Sequence, residues 1–588
     1  MKKKRIPPEE GIRRRTVGLY GGFILFCAGL LIWTSGVSSR QEYAAAAQRQ
    51  GSYTLEIGES NGIIYDRNLL PLNQQLEQVA AVSPSPQAQQ TLASLLTDQE
   101  EKQQADQLLK QGSPFLFSFS HSVNSSQISC QEVALYQRPV LQSQPLAVHL
   151  LGYRNGEGNA MAGLEKSLDE YLQQHSGSLS ATYQVNVYRD AFAGIVPEMN
   201  DDNYLDPQGV VLTLDSRLQQ AAEGAVASID GPGAVVLLEA NSGCIRALAS
   251  SPSYRLDQLA SALENPDSPF LNRALLPYCL GSPFKLVIAA AALEAGEQLT
   301  AIPLEEGKKE YESLTFSYTC TGSITMGDQT YSCHNKNGHG QLDLMSALED
   351  SCNPYFIALG QKIGPEAILS MARKLGFGQP TLLAQGLSGS SGELPSESIL
   401  QSAGQLALFS FGQGALTVTP LQVAAMVATI ANGGKGVTPY VVSGYTDQAG
   451  QFLEESSPRV YGQQVLQPET ASQLQQAMEQ VVSQGSGSLA QVPGVRIGGK
   501  TGTAQTNQFD QEGKERLEAW FAGYFDTPLT RYAAVVLCEG GGQGSITAAP
   551  VFAALAKQVA ELEQEAFWSA YPQEYRQLYQ AKDETTIQ

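Results

Sequence analysis

Gly494 to Thr503 read GVRIGGKTGT, and two incompatible chemistries fit this stretch. Its first eight residues satisfy G-x-x-x-x-G-K-[ST], the loop that holds nucleotide phosphates on backbone amides at a helix start. Lys500-Thr501-Gly502 taken alone is instead a strand element, offering a cation and a hydroxyl to an anionic substrate opposite a serine nucleophile. A phosphate loop needs a buried strand before its first glycine and a helix with an apolar face after its lysine. Here residues 483–493 are polar and turn-like (SQGSGSLAQVP) and residues 502–513 read GTAQTNQFDQEG, so both flanks fail. The run Val535-Val536-Leu537-Cys538-Glu539 could serve an ATPase as a metal-binding strand, but a sheet strand ending in the GGGQG turn explains it equally. The pattern predicts a strand carried through the motif, with Ala519 to Phe525 (AWFAGYF) and Tyr532 to Cys538 (YAAVVLC) as neighbours in an antiparallel sheet.

A serine enzyme with that strand needs a nucleophile upstream, and Gly281-Ser282-Pro283-Phe284-Lys285 supplies S-x-x-K. Pro283 suits the first turn of a helix, where its missing N–H costs nothing. LVIAAAALEAG continues as a helix apolar on all sides, closing at Gly296. A buried helix therefore carries Ser282 at its start and Lys285 one turn on. Serine is a poor nucleophile until a base takes its proton, and lysine is a base only where burial and nearby positive charge favour its neutral form. Lys500 can supply that charge.

A third element, S-x-N, is expected between the other two, and Ser351-Cys352-Asn353 provides it between two helical runs. Ser122-Val123-Asn124 matches the same pattern but precedes the nucleophile, and Lys336-Asn337-Gly338 and Lys374-Leu375-Gly376 are equally cheap K-x-G matches. Order along the chain and local setting select the three retained motifs.

Topology agrees. The 588 residues carry 37 basic and 58 acidic side chains, a net charge of −21 that argues against nucleic acid as a partner. Residues 1 to 15 hold seven Lys or Arg against Glu9 and Glu10, and Thr16 to Val37 follow without a charge. That run spans about 33 Å as a helix, enough for a hydrocarbon core of about 30 Å. It is too long for the apolar core of a typical signal peptide. Residues 1–15 are expected in the cytoplasm, 16–37 in the plasma membrane as a single-pass anchor, and the remainder outside, where ATP is scarce. Residues 38–205 read as a mixed, irregular stalk with strands near 53–57 and 62–65 and a Gln-rich helical stretch near 85–110. A helix-and-strand domain follows over 206–566, opened by GVVLTLD, and 567–588 form a polar tail.

Seven of the eight cysteines lie beyond the anchor, an odd number that excludes complete internal pairing. Cys320 could bond Cys333, Cys333 could bond Cys352, or the thiols could stay free. His334 and His339 lie near Cys333 in HNKNGH, but no fuller ligand set is legible and no metal or organic cofactor is expected.

With these motifs in hand the chain resembles the class B penicillin-binding proteins, membrane-anchored D,D-transpeptidases that lack a glycan polymerase domain. NGIIYDRNLLPL (61–72) looks like the family's N-terminal signature and HLLGYRNGEGNAMAGLEKSLDEYL (149–172) its pedestal motif. NRALLPYCLGSPFK, GHGQLDLMSALEDSCNPYF, GQGALTVTPLQVAAMVATIANGG, GGKTGTAQ, AWFAGYF and AAPVF match transpeptidase segments in order. The resemblance implies an α+β fold: a penicillin-binding transpeptidase or serine β-lactamase-like domain, a mainly antiparallel sheet between helices, on a mixed pedestal. It also implies that Ser282 attacks the penultimate D-Ala carbonyl of a D-Ala-D-Ala stem peptide of peptidoglycan and that β-lactams acylate the same serine. Lys285 would be the base, Ser351 a proton relay and Asn353 an orienting group. Lys500, Thr501, Gly502 and Thr503 would bind the terminal carboxylate along an edge strand, and the Ser282 and Thr503 amides would form the oxyanion hole. A polytopic glycan polymerase is the implied membrane partner. Leu280 and Pro283 depart from the usual residues around the nucleophile. A D,D-carboxypeptidase, a β-lactamase, a β-lactam sensor and a non-catalytic scaffold are the rival readings; a sensor would need further membrane spans.

Overall fold

The computed structural model describes residues 8–38, 51–192, 194–299, 316–454, 462–509 and 512–569. The uncharged run lies within a helix, Pro8–Ser38, whose stretch Gly11–Gly36 is long and apolar enough to cross a membrane. Arg13, Arg14 and Arg15, expected in the basic tail, are already helical, while residues 1–7 fall outside the described part.

The chain divides into two compact units. One joins the described residues up to Asn61 with Leu76–Val140 and Ser176–Asp206. Its two three-stranded sheets run in the orders Ser52–Ser60, Gly177–Gln184, Glu198–Asp202 and Phe115–Ser118, Gln75–Val82, Val133–Val140. The Gln-rich stretch forms helices Pro86–Leu95 and Gln99–Leu109, started by Ser85 and Asp98, whose side chains accept from first-turn amides.

The other unit takes Gly62–Gln75, Leu141–His175 and the described residues from Pro207. The stretch 38–205, read as one stalk, is therefore shared between both units. At the centre is a five-stranded antiparallel sheet in the order Ile245–Ser251, Gly233–Glu239, Arg531–Cys538, Glu515–Asp526, Ile497–Phe509. Its inner strands are near-continuous apolar runs because both faces are covered. Ala234, Val236 and Leu238 join the core that includes Leu286, Tyr355 and Val427, while Val235 and Leu237 point the other way into the core of Leu218, Phe552 and Leu555. Helices Lys285–Leu299 and Pro420–Ala431 thus fall on one side, Ser216–Ala227 and Ala548–Ser569 on the other. The strand of the opening motif, Ile497–Phe509, lies at the sheet edge. The expected tail is helical as far as Ser569, and 570–588 lie outside the described residues.

Two early segments are tied into this unit by buried polar groups. Ile63–Tyr65 pairs in parallel with Gly209–Leu212. Asp66, fully buried, accepts from the amides of Asn68, Leu70 and Ser216 and from Ser216 Oγ at 2.7 Å. Glu165 takes Asn73 Nδ2 at 3.0 Å on one oxygen and Arg154 Nε at 2.7 Å on the other, and Arg154 also reaches Asp169 at 2.8 Å. Removing one partner of a buried ion pair typically costs about 3–5 kcal/mol because the other charge is stranded. Glu165→Ala should sit at the low end, about 3 kcal/mol, since Asp169 remains; the thermal unfolding midpoint of the full-length protein in detergent, compared with Glu157→Ala on the exposed loop, checks this.

Candidate active site

Ser282 opens a single turn of 3₁₀ helix, Ser282–Phe284, and the α-helix begins only at Lys285. The sequence pattern placed Pro283 at the start of that α-helix; the tighter turn displaces the start by two residues. The approach to the turn is pinned by Trp520 Nε1 donating to Cys279 O at 2.9 Å and by the Gly281 amide donating to Gly412 O at 2.9 Å. Phe284 packs on Phe409 beneath it, ring centroids 4.8 Å apart. Gly502 explains the third letter of the K-T-G motif: a Cβ there would lie 2.7 Å from Pro283 Cδ and 3.1 Å from Leu280 O. Only a bare backbone lets the motif strand lie against the serine turn.

Ser351 follows helix Leu344–Glu349 in the left-handed conformation, φ 53°. The Ser351 amide donates to Leu348 O and the Cys352 amide to Ala347 O, the pair of bonds that ends a helix in a Schellman motif. Glycine ordinarily takes that position, and a residue with a side chain pays about 1–2 kcal/mol there. The hydroxyl accounts for the exception. Lys285 Nζ donates to Ser351 O at 2.7 Å, Ser351 Oγ at 3.2 Å and Asn353 Oδ1 at 2.6 Å, and Ser351 Oγ donates to Ser282 Oγ at 3.1 Å. The path from Lys285 to Ser282 thus passes through Ser351.

Lys285 and Lys500 are both completely buried. Burial pulls the Lys285 amine down to about 7 against the opposing pull of the Cys352 and Cys333 sulfurs. Burial and then the charge of Lys285 hold Lys500 well below the usual lysine range. Lys500 Nζ has one distant acceptor, Thr501 O at 3.5 Å. Two buried ammonium groups in each other's field cannot both be stable, and the three close acceptors around Lys285 suit it as the resting holder of a proton.

The remaining expected residues lie in the same place. Thr501 Oγ1 is 3.1 Å from Ser486 Oγ, exposed Thr503 accepts from the Gly544 amide at 3.2 Å, and Thr503 O lies 3.1 Å from where a Cβ on Gly281 would stand. Ser486, Gly544 and Phe356, whose ring centroid is 5.6 Å from Lys285 Nζ, complete the surroundings and were absent from the sequence expectations. The polar turn before the motif was the signal for Ser486; Phe356 had none beyond its place on the Asn353 helix. Of the alternatives open for the cysteines, the structure carries the free thiols: all eight are unbonded, and neither Cys320–Cys333 nor Cys333–Cys352 is formed. Cys320, Cys333 and Cys352 converge together with His339, so no two sulfurs stand apart as a pair.

The Penicillin binding protein transpeptidase domain family matches residues 233–557. The chain belongs to this family. It is 30% identical over 418 residues to stage V sporulation protein D of Bacillus subtilis, covering 68% of this chain and 60% of that protein. It is 34% identical over 383 residues to peptidoglycan D,D-transpeptidase PbpA of Mycobacterium tuberculosis, covering 59% of this chain and 72% of that one. In fold it resembles the D,D-transpeptidase domain of a peptidoglycan glycosyltransferase from Eggerthella lenta, with TM-score 0.59, 23% identity and coverage of 86% and 99%. Penicillin-binding protein 3 of Mycobacterium tuberculosis, solved with aztreonam, matches with TM-score 0.59, 24% identity and coverage of 87% and 97%. The shared architecture is the penicillin-binding transpeptidase fold.

The strained Ser351 separates stability from chemistry. Ser351→Gly relaxes the left-handed turn while Ser351→Ala keeps the strain, so the glycine variant should be the more stable by about 1 kcal/mol. Both lose the hydroxyl and should be acylated by penicillin about 10²-fold more slowly; unfolding midpoints and labelling rates measured side by side check it.

Proposed function

We propose that this chain is a single-pass membrane D,D-transpeptidase that cross-links peptidoglycan stem peptides through an acyl–Ser282 intermediate and is acylated by β-lactams at the same atom. The observation that carries the reading is the hydrogen-bonded series Ser282 Oγ, Ser351 Oγ, Lys285 Nζ, Asn353 Oδ1, in which Lys285 is fully buried and the other three are half-buried. Family membership places the reaction among acyl transfers.

In this mechanism the terminal carboxylate of the donor peptide enters beside Lys500, Thr501 and Thr503, where a cation and hydroxyls suit an anion. The carboxylate draws a proton to Lys500, and the charge there favours loss of the proton from Lys285. Neutral Lys285 takes the Ser282 proton through Ser351 Oγ as the Ser282 oxygen attacks the penultimate D-Ala carbonyl. The amides of Ser282 and Thr503 receive the oxyanion, a contact of the kind that lowers barriers by about 3–4 kcal/mol. Ser351 passes a proton to the departing D-Ala amine, and Asn353 holds Lys285 and the donor amide in place. An amine of a second stem peptide then takes the acyl group and frees the serine.

The domain plan we propose is a cytoplasmic tail (1–15), an anchor (16–37), a pedestal (38–205) that lends Gly62–Gln75 and Leu141–His175 to the catalytic unit, a transpeptidase domain (206–566) and a polar tail (567–588). The basic N-terminal side supports a cytoplasmic start and an extracytoplasmic catalytic domain. A polytopic glycan polymerase is the proposed membrane partner; a solved relative, 24% identical with TM-score 0.61, is described as a peptidoglycan synthase complex coordinating polymerization and crosslinking.

Fluorescent penicillin should label the full-length protein in detergent with a long-lived adduct that Ser282→Ala abolishes and Lys285→Ala slows about 10²–10⁴-fold. Mass spectrometry of lipid-linked glycan products should show cross-linked stems; release of D-Ala with no cross-link identifies a carboxypeptidase, and a rapidly vanishing adduct a β-lactamase. The labelling rate should also rise with pH, because the base acts neutral. With the Lys285 amine at about 7, the rate is low while Lys285 is protonated and levels off above about pH 8; a profile flat from pH 5 to 9 would remove Lys285 from the role of base.

A further inference from the structure

Three thiols and an imidazole meet directly behind the turn that carries Ser351 and Asn353. The sulfurs of Cys320, Cys333 and Cys352 and a ring nitrogen of His339 all lie within 4.8 Å of one another. The cysteines are only 2%, 1% and 0% exposed. Cys333 Sγ is 3.5 Å from His339 Nδ1, while His334 lies farther, at 3.9 Å, its ring tilted 53° to the His339 ring with centroids 5.0 Å apart.

The backbone around them brings these groups together on short ribbons. Cys320 ends strand Tyr318–Cys320, which pairs with Gly340–Leu342 just after His339. Cys333 follows the hairpin Ser323–Met326 and Gln329–Ser332, and its amide donates to Gly322 O at 2.8 Å. At Gly338, φ 81°, a Cβ would stand 2.2 Å from Cys320 O, so the two ligand-bearing loops touch backbone to backbone. These are isolated two-stranded sheets of three or four residues per strand, and no residue of the hairpin is buried. Such ribbons are marginal by themselves. Cys352 stands at the N-cap of helix Asn353–Ile363 yet its side chain caps nothing; it points into the cluster.

We propose that Cys320, Cys333, His339 and Cys352 bind one zinc ion in tetrahedral coordination, and that this ion fixes the turn presenting Ser351 and Asn353. Zinc–sulfur bonds of about 2.3 Å put tetrahedral ligands about 3.8 Å apart, so the cluster need contract by no more than about 1 Å. Three thiolates and an imidazole select a soft or borderline ion and reject Mg²⁺ and Ca²⁺, which take oxygen. Four protein ligands leave no open position, which makes the site structural. Binding releases the thiol protons, up to three per ion, to solvent. A disulfide would use two sulfurs and strand the third; the metal uses all four groups. The expectation of no metal came from HNKNGH alone, which holds two imidazoles beside one thiol and gives no sign of Cys320 or Cys352.

Metal binding stands apart from the proposed chemistry; the positioning role rests on it. Full-length protein purified in detergent with a reductant should carry one zinc per chain by elemental mass spectrometry. Cys320→Ser and His339→Ala should each lower that at least fivefold, while Cys538→Ser, a buried thiol elsewhere, should keep it. Replacing zinc with Co²⁺ in the wild-type protein should give thiolate-to-cobalt charge transfer and intense tetrahedral d–d bands. Folded, zinc-supplemented wild type with neither metal nor a cobalt–thiolate band overturns the site, whether peptide mapping then finds Cys333 in a disulfide or three free thiols. Chelation should slow penicillin labelling at least tenfold, with recovery on adding zinc. If one zinc is bound and its removal leaves labelling unchanged, the positioning role fails and the site stands; if metal-loaded protein is never labelled, the transpeptidase reading fails instead.

Discussion

A lysine amine with no exposure to water must find its partners within the protein, and at Lys285 those partners are the Ser351 carbonyl, the Ser351 hydroxyl and the Asn353 amide oxygen. Most of the local architecture follows from satisfying that one group. Ser351 must offer carbonyl and hydroxyl to the same nitrogen, which requires the left-handed backbone at the end of its helix. Asn353 must begin the next helix within two residues, and Cys352 between them is turned inward. Lys500 adds a second buried amine on the facing strand, so the site cannot hold both protons comfortably and is sensitive to any anion that enters.

The scaffold around this pair is closely packed. The serine turn is pressed between the motif strand, through Gly502, and the Gly412 loop, with Phe284 and Phe409 beneath. Trp520 and Cys279 tie the turn to Glu515–Asp526, the strand next to the edge. At the outer edge Ile497–Phe509 has a strand neighbour on one side only, the arrangement to which an extended peptide can add as a further strand.

Much of this was legible because it is periodic. The apolar runs of Ala519 to Phe525 and Tyr532 to Cys538, the all-round apolar helix after Lys285 and the uncharged run after the arginines each carry a pattern that permits few folds. Motif order then brought Ser282, Lys285, Ser351, Asn353 and Lys500 onto one site. What could not be read was geometry without a period. Nothing in the letters of Ser351 shows φ 53°, since serine usually leaves that conformation to glycine. The proton path was not legible either: it runs from Lys285 to Ser282 through Ser351, because Lys285 Nζ is drawn toward the S-x-N turn. The thiol–imidazole cluster was missed for a similar reason: its four members span residues 320 to 352, and their convergence depends on two short ribbons with no core of their own.

The order of the sheet has a bearing on how the chain can acquire its structure. Gly233–Glu239 forms a local hairpin with Ile245–Ser251, but its other neighbour is Arg531–Cys538, and the register sets Gly233 against Cys538. Ile63–Tyr65 must likewise wait for Gly209–Leu212. During synthesis the hairpin emerges with one apolar edge open until nearly the whole chain has followed. Closure of so distant a pair is slow, because the loop entropy is lost before the contact is gained. For that interval the nascent protein presents an unpaired hydrophobic strand, a state that invites aggregation and the attention of chaperones. The acyl-transfer site, whose residues from Ser282 to Thr503 all lie within that long excursion, therefore sits on a sheet that closes only after the whole of the site has been made.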